Sequence, residues 1–197
     1  DWSSDVCSSD LVQSVTIFTT QSVFLEAEHI YFLKNGRLDN GRRNTALTRG
    51  ELEKMIAGAM NYMAKACQKD GKLTYGYDPC SNKEITGYDM RRHAHALAAM
   101  AEAYDIFPDE HAAGAIKRGL DYLVREGIFT DEKEGFAYVV ERAGSDQPEV
   151  SPGGAAAAIR AIVTYTQVFK DDSYLPAAKK LAGGIVKWQQ SEGNFAQ

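Results

Sequence analysis

The chain has 197 residues, 44% of them apolar and 25% charged, which is enough for a sizeable core and ordinary for a soluble globular protein. Its formal charge of −5, from 22 basic and 27 acidic residues, favours neither nucleic acid nor an anionic membrane as partner. No apolar run approaches the roughly 20 residues that span a bilayer. No motif asks for a cofactor or a metal.

Residues 1–11, Asp1-Trp-Ser-Ser-Asp-Val-Cys-Ser-Ser-Asp-Leu11, resemble the translation of a sequencing-library adapter and are set apart from the fold, as a tag would be. Without Asp1, Asp5 and Asp10 the acidic count falls from 27 to 24 against 22 basic residues, which is close to neutral. Cys7 goes with them. Cys67 and Cys80 remain without metal-ligand or disulfide spacing and are taken as plain residues. An opening of this kind leaves the compartment open. Residues 12–33 are rich in Val, Ile, Phe, Thr and Tyr and precede Asn35-Gly36, a pattern of two or three strands and a tight turn. A basic polar stretch from Arg37 to Arg49 completes a β-rich lead-in and linker over 12–47.

From 48 onward the pattern is helical. Leu52, Met55, Ile56, Met60, Met63 and Cys67 recur at the spacing of one helix face. Thr48 and Glu51 suit a capping box, and Asp70-Gly71 ends the helix in a turn. Lys72 to Pro79 is a short extended aromatic segment. Residues 89–106 and 109–126 are predicted helices separated by Pro108. Residues 127–152 form an irregular connector containing Gly135-Phe-Ala-Tyr-Val-Val140, and 153–169 with 172–190 repeat the helix pair.

The repeat can be located residue by residue. A shift of 62 sets Ala94, Ala96, Ala99, Phe107, Asp109, Ala115, Lys117 and Val124 on identical residues at 156, 158, 161, 169, 171, 177, 179 and 186. A shift of 122, about two periods, sets Gln68-Lys-Asp-Gly71 on Gln190-Ser-Glu-Gly193. Two helices per unit of about 61–62 residues mean stacked hairpins. The first helix of a unit is small and apolar on every side, as in residues 94–103, and is expected to be buried all round. The second, 109–126, has one apolar stripe and is an outer helix. A double-layered toroid follows, mainly α with a short N-terminal β segment.

Here the residues resemble known groups. The connectors Gln68–Leu73 and Gln190–Phe195 are similar to those of terpenoid-cyclase toroids. Tyr75-Gly-Tyr-Asp-Pro79 with Gly87-Tyr-Asp-Met-Arg-Arg-His93 resembles the six-hairpin glycosidases and uronyl C5-epimerases of the α/α-toroid superfamily. The resemblance covers 48–197. It implies an incomplete toroid, with further hairpins of the same chain expected beyond those present, and a site where the inner helices begin. The D-x-D-D acid motif of class II cyclases is absent.

Tyr88 to His95, facing Glu149 to Ser151, is therefore the candidate site. Asp89 and Glu149 are the carboxylates suited to paired acid/base work. His93 and His95 suit proton transfer near neutral pH, but lie two apart on a helix and cannot share a metal ion. Arg91 and Arg92 would bind a uronate or other carboxylate bidentately, Tyr75, Tyr77 and Tyr138 would stack on sugar rings, and Tyr88 would join them in binding the substrate. Each has a plainer alternative: Asp89 as a helix cap, the arginines as bridges to neighbouring acids, the tyrosines as wedges between hairpins. Ser151 has no nucleophile-elbow context, and Gly153-Gly154 no phosphate-loop pattern. The expected function is a carbohydrate-active enzyme acting on a polysaccharide or uronate-bearing glycan by hydrolysis, elimination or epimerisation. The alternatives are a terpenoid-cyclase-like enzyme and a non-catalytic toroid module.

Overall fold

The computed structural model describes residue 14 and residues 22–33, 47–141 and 149–195. The adapter-like opening, Asn35-Gly36 and most of the basic linker lie outside the described residues. Backbone contacts divide the chain into two compact units, Asp1–Thr48 and Arg49–Gln197. In the first, β1 (Val23–Glu26) and β2 (His29–Phe32) pair antiparallel with Glu26 opposite His29. Their turn falls at Ala27-Glu28, with Ala27 at φ 52°.

The second unit is mainly α. Helix α1 (Arg49–Ala66) is followed by a two-residue-strand hairpin, β3 (Tyr77–Asp78) and β4 (Lys83–Glu84), and then by α2 (Met90–Ile106) and α3 (Glu110–Tyr122). Strands β5 (Ile128–Asp131), β6 (Phe136–Glu141) and β7 (Glu149–Val150) lead to α4 (Pro152–Phe169) and α5 (Leu175–Trp188). Local chemistry sets the helix starts. Asp89, Asp109 and Ser151 are extended residues whose side chains accept the backbone N–H of Arg92, Ala112 and Gly154, satisfying donors with no partner inside the helix. Pro152 occupies the first turn of α4, where its missing N–H is harmless.

Helices α2 and α4 lie along one another, and α3 and α5 each fold back on the helix before them. The core between them is built on Leu97, Ile116, Leu120, Leu123, Ile162 and Leu181, all fully buried. The two connectors share one backbone plan. Gln68 and Gln190 donate their N–H to the carbonyls of Lys72 and Asn194 at 2.8 and 2.7 Å, and Gly71 and Gly193 donate back to Gln68 and Gln190. Both glycines have positive φ, 96° and 84°. At Gly71 a Cβ would also stand 2.0 Å from the Arg118 carbonyl oxygen.

Three expectations need correction. The described parts of 127–152 are not irregular: β5, β6 and β7 form an antiparallel sheet in which Phe129 faces Tyr138 and Glu141 faces Glu149. The alternation expected of a strand is hidden because Val139 and Val140 are both buried, Val139 within the core cluster of the helices and Val140 beside its β7 partner Val150. The helix from 110 changes to a π-helical turn at Leu123–Gly127 before entering β5. Finally, α2 is not enclosed on every side. Ala94, Leu97, Ala98 and Ala101 are buried, but Arg92, His95, Ala99, Glu102 and Ile106 form an exposed strip.

Candidate functional site

The N-terminus of α2 carries two carboxylates from different elements. Asp89 Oδ1 accepts the Arg92 N–H at 2.9 Å. Glu141, at the end of β6, accepts the N–H groups of Met90 and Arg91 at 2.7 and 3.1 Å. The two acids thus cover the first-turn donors, where the helix dipole favours negative charge. Burial pushes the Glu141 carboxyl above its ordinary range and the nearby Asp89 charge adds to this, while the Met90 and Arg91 N–H groups oppose it. Glu149, exposed on β7, stands directly across the strand pair from Glu141. Like charges so placed repel one another. Asp89, Arg91, Glu141, Glu149 and Ser151 line a cavity of about 170 Å³.

A second cavity, of about 250 Å³, opens on the other side of Asp89. Tyr62, Tyr75, Tyr88, Arg92 and His93 contribute to its wall. Arg92 Nη1 donates to the Tyr75 hydroxyl at 2.8 Å and the guanidinium lies 5.3 Å from that ring's centroid. Its Nε is 3.6 Å from Asp89. The Tyr88 hydroxyl accepts the Leu73 N–H at 3.1 Å and lies 2.6 Å from His93 Nδ1. On the other side of the ring, His93 Nε2 lies 2.9 Å from the Gly119 carbonyl oxygen. A carbonyl only accepts, so Nε2 carries the proton and Nδ1 takes the Tyr88 proton as acceptor. The imidazole is only 3% exposed, and burial holds its pKa below the ordinary value.

The sequence-derived candidates therefore divide. Asp89, Arg91 and Glu149 line the carboxylate cavity, and Tyr75, Tyr88, Arg92, His93 and again Asp89 line the aromatic one. Tyr77 and His95 join neither. The Tyr77 hydroxyl bonds Asn82 within the β3–β4 hairpin, and His95 is exposed on the strip of α2. Asp89 does act as the α2 cap, and Ser151 as that of α4. Tyr138 is a wedge, its ring 6.2 Å from Trp188 and 6.3 Å from Phe129. Glu141 was not singled out in the sequence. Its only signal is an acid closing the apolar run Phe136–Val140. Among the described residues no group of three His, Cys, Asp or Glu side chains is placed to hold a metal ion, and no helix is long and apolar enough to cross a membrane.

A mainly helical unit with its polar cavities gathered at one helix start is the class that fold and site define. No family model matches the chain, and no curated protein matches it. Among solved structures it is similar to that of a sugar epimerase from a ruminal bacterium, with a TM-score of 0.57 and 18% identity. The match covers 73% of this chain and 39% of the other, so the chain spans about two fifths of that structure's length. At this identity the likeness is one of fold.

Proposed function

We propose that the second unit belongs to an α/α toroid, with α2 and α4 as inner helices, and that it modifies a carbohydrate at the N-terminus of α2. The observation that carries this reading is the pair of adjoining cavities sharing Asp89, one acidic and one walled by tyrosines and Arg92. A sugar ring offers apolar C–H faces to the tyrosine rings and hydroxyls to the acids. Glu141, held toward its protonated form, suits a general acid, and the exposed Glu149 opposite it suits a base. Arg91 and Arg92 would engage a substrate carboxylate. His93 is a positioning residue, because both ring nitrogens are engaged in holding Tyr88 and α3. Among hydrolysis, elimination and epimerisation, the fold of the sugar epimerase favours the last.

The test is to incubate the protein with neutral and uronate-containing oligosaccharides in heavy water and follow them by NMR. Epimerisation exchanges a ring hydrogen for deuterium, elimination produces an unsaturated sugar, and hydrolysis releases new reducing ends. Glu141→Gln and Glu149→Gln should each slow turnover by about 10²–10⁴-fold. Turnover that survives both substitutions unchanged would remove these carboxylates from the reaction. The competing reading is a non-catalytic glycan-binding module. It is favoured by the engagement of Asp89 and Glu141 in capping α2, and it predicts glycan binding that is lost in Arg92→Ala, with no product from any glycan.

A further inference from the structure

Helix α4 opens on Pro152-Gly-Gly154, with Ser151 as its cap. Two successive glycines are a poor choice for a first turn by helix propensity, and their surroundings differ. Gly153 is exposed, and a Cβ on it would meet nothing nearer than the Ser151 Oγ at 3.6 Å and the Arg91 Cδ at 3.8 Å. Gly154 is buried. A Cβ there would stand 3.0 Å from Glu141 Oε1 and 3.0 Å from Val139 Cγ1. The repeat sharpens the contrast. The shift of 62 sets the cap Asp89 of α2 on Ser151, and Arg92 on Gly154. Where α2 carries a long side chain that lines the aromatic cavity, α4 carries none.

Taking Glu141 as the acid of the proposed carbohydrate reaction, we infer that Gly154 is its positioning residue, leaving the space in which that carboxylate sits between the starts of α2 and α4. Oε2 accepts the Met90 N–H and Oε1 the Arg91 N–H, and Oε1 is the oxygen nearest Gly154. Gly154 supplies room rather than a bond, because its own N–H is donated to Ser151 Oγ at 3.1 Å. A methyl group at this position would be wedged between Val139 and Glu141. Val139 is fully buried in the core, where close packing leaves it nowhere to move. The carboxylate, at the end of a flexible side chain, is the group that gives way. Moving it breaks its bonds to the α2 amides and shifts the acid within the cavity it shares with Asp89, Arg91 and Glu149.

Amide resonances followed by NMR between about pH 3 and 8 read this placement with no substrate present. Asp89, Arg91 and Glu149 are the charged groups around Glu141 in that cavity. In the wild type the Met90 and Arg91 amides should shift together as Glu141 titrates, and the Arg92 amide should follow Asp89, which accepts it. In Gly154→Ala the Met90 and Arg91 shifts should be lost while that of Arg92 remains, and Gly153→Ala should keep all three. Persistence of the Met90 and Arg91 shifts in Gly154→Ala overturns the proposal, as does their equal loss in Gly153→Ala. Where Gly154→Ala folds poorly, thermal melting of a double-mutant cycle decides. Its loss of Tm should shrink in a Glu141→Ala background, and an equal loss in both backgrounds assigns the space to Val139 and overturns the proposal. On a glycan that the wild type converts, Gly154→Ala should lower kcat about 10–100-fold with KM within about twofold, and an unchanged kcat overturns it as well. A wild type that converts no glycan sinks the carbohydrate reading alone, since the amide shifts still decide what holds Glu141 in place.

Discussion

Two titratable side chains at the start of α2 respond to burial in opposite senses. His93 is neutral and enclosed, its Nε2 at the Gly119 carbonyl and its Nδ1 at Tyr88. The unfolded chain takes up a proton on this ring below about its ordinary value of 6.5, but the folded chain does not until lower pH. Stability from this residue is therefore fully present above that value and lost as pH falls below it. The urea midpoint should drop between about pH 7 and 5, and His93→Gln should flatten that slope. An equal slope in the variant would assign the loss to other groups. Glu141 works in reverse, since its raised carboxyl binds its proton more tightly when folded. Its contribution weakens as pH rises from the ordinary 4.5 through the raised value. Asp89 was legible in the sequence, because an acid just before a helix is a cap by local rules. His93 was named there as a candidate but its enclosure was not foreseen, and Glu141 was not named at all. The Gly119 carbonyl that His93 meets is 26 residues away and the amides that Glu141 accepts are about 50 away, and only the tertiary fold brings them together.

Among the elements, α5 shows how a close approach dictates a residue type. Gly184 lies against β6, and a Cβ there would stand 2.1 Å from the Ala137 carbonyl oxygen. Gly184→Ala must push the helix off the strand and should cost about 1–3 kcal/mol. At its neighbour Gly183 a Cβ meets nothing nearer than the Phe136 Cβ at 3.7 Å. Gly183→Ala should stabilise by about 0.5–1 kcal/mol through helix propensity. Thermal melting of the two variants checks the contrast, and equal shifts would contradict the packing described for α5 on β6. The helices were legible from their periodicity, with α2, α3, α4 and α5 each falling on a predicted segment. The sheet of β5, β6 and β7 was not, because its central strand buries Val139 and Val140 in succession and so loses the period of two.

For the molecule as a whole, the exposed apolar residues of α1, Leu52, Met55, Ile56 and Tyr62, form a patch that water does not favour. A hydrophobic reporter dye should bind strongly to this face of the protein. Leu52→Gln with Ile56→Gln should remove the bound-dye signal without loss of helicity, and an undiminished signal would place the dye elsewhere. The two helix pairs were visible as a repeat because identical residues recur at a constant shift. The bare face of α1 was not, because periodicity shows which face of a helix is apolar and not whether anything lies against it.

The matching turns at Gln68–Gly71 and Gln190–Gly193 have a further consequence. Their backbones follow one course although only the glutamine and the glycine are common to both. The chain thus ends its last connector in the conformation from which α2 was reached. A second copy of Lys72–Gln190 grafted after Gly193 would meet a junction already shaped to receive it. The turn itself would need no new corner to accept it.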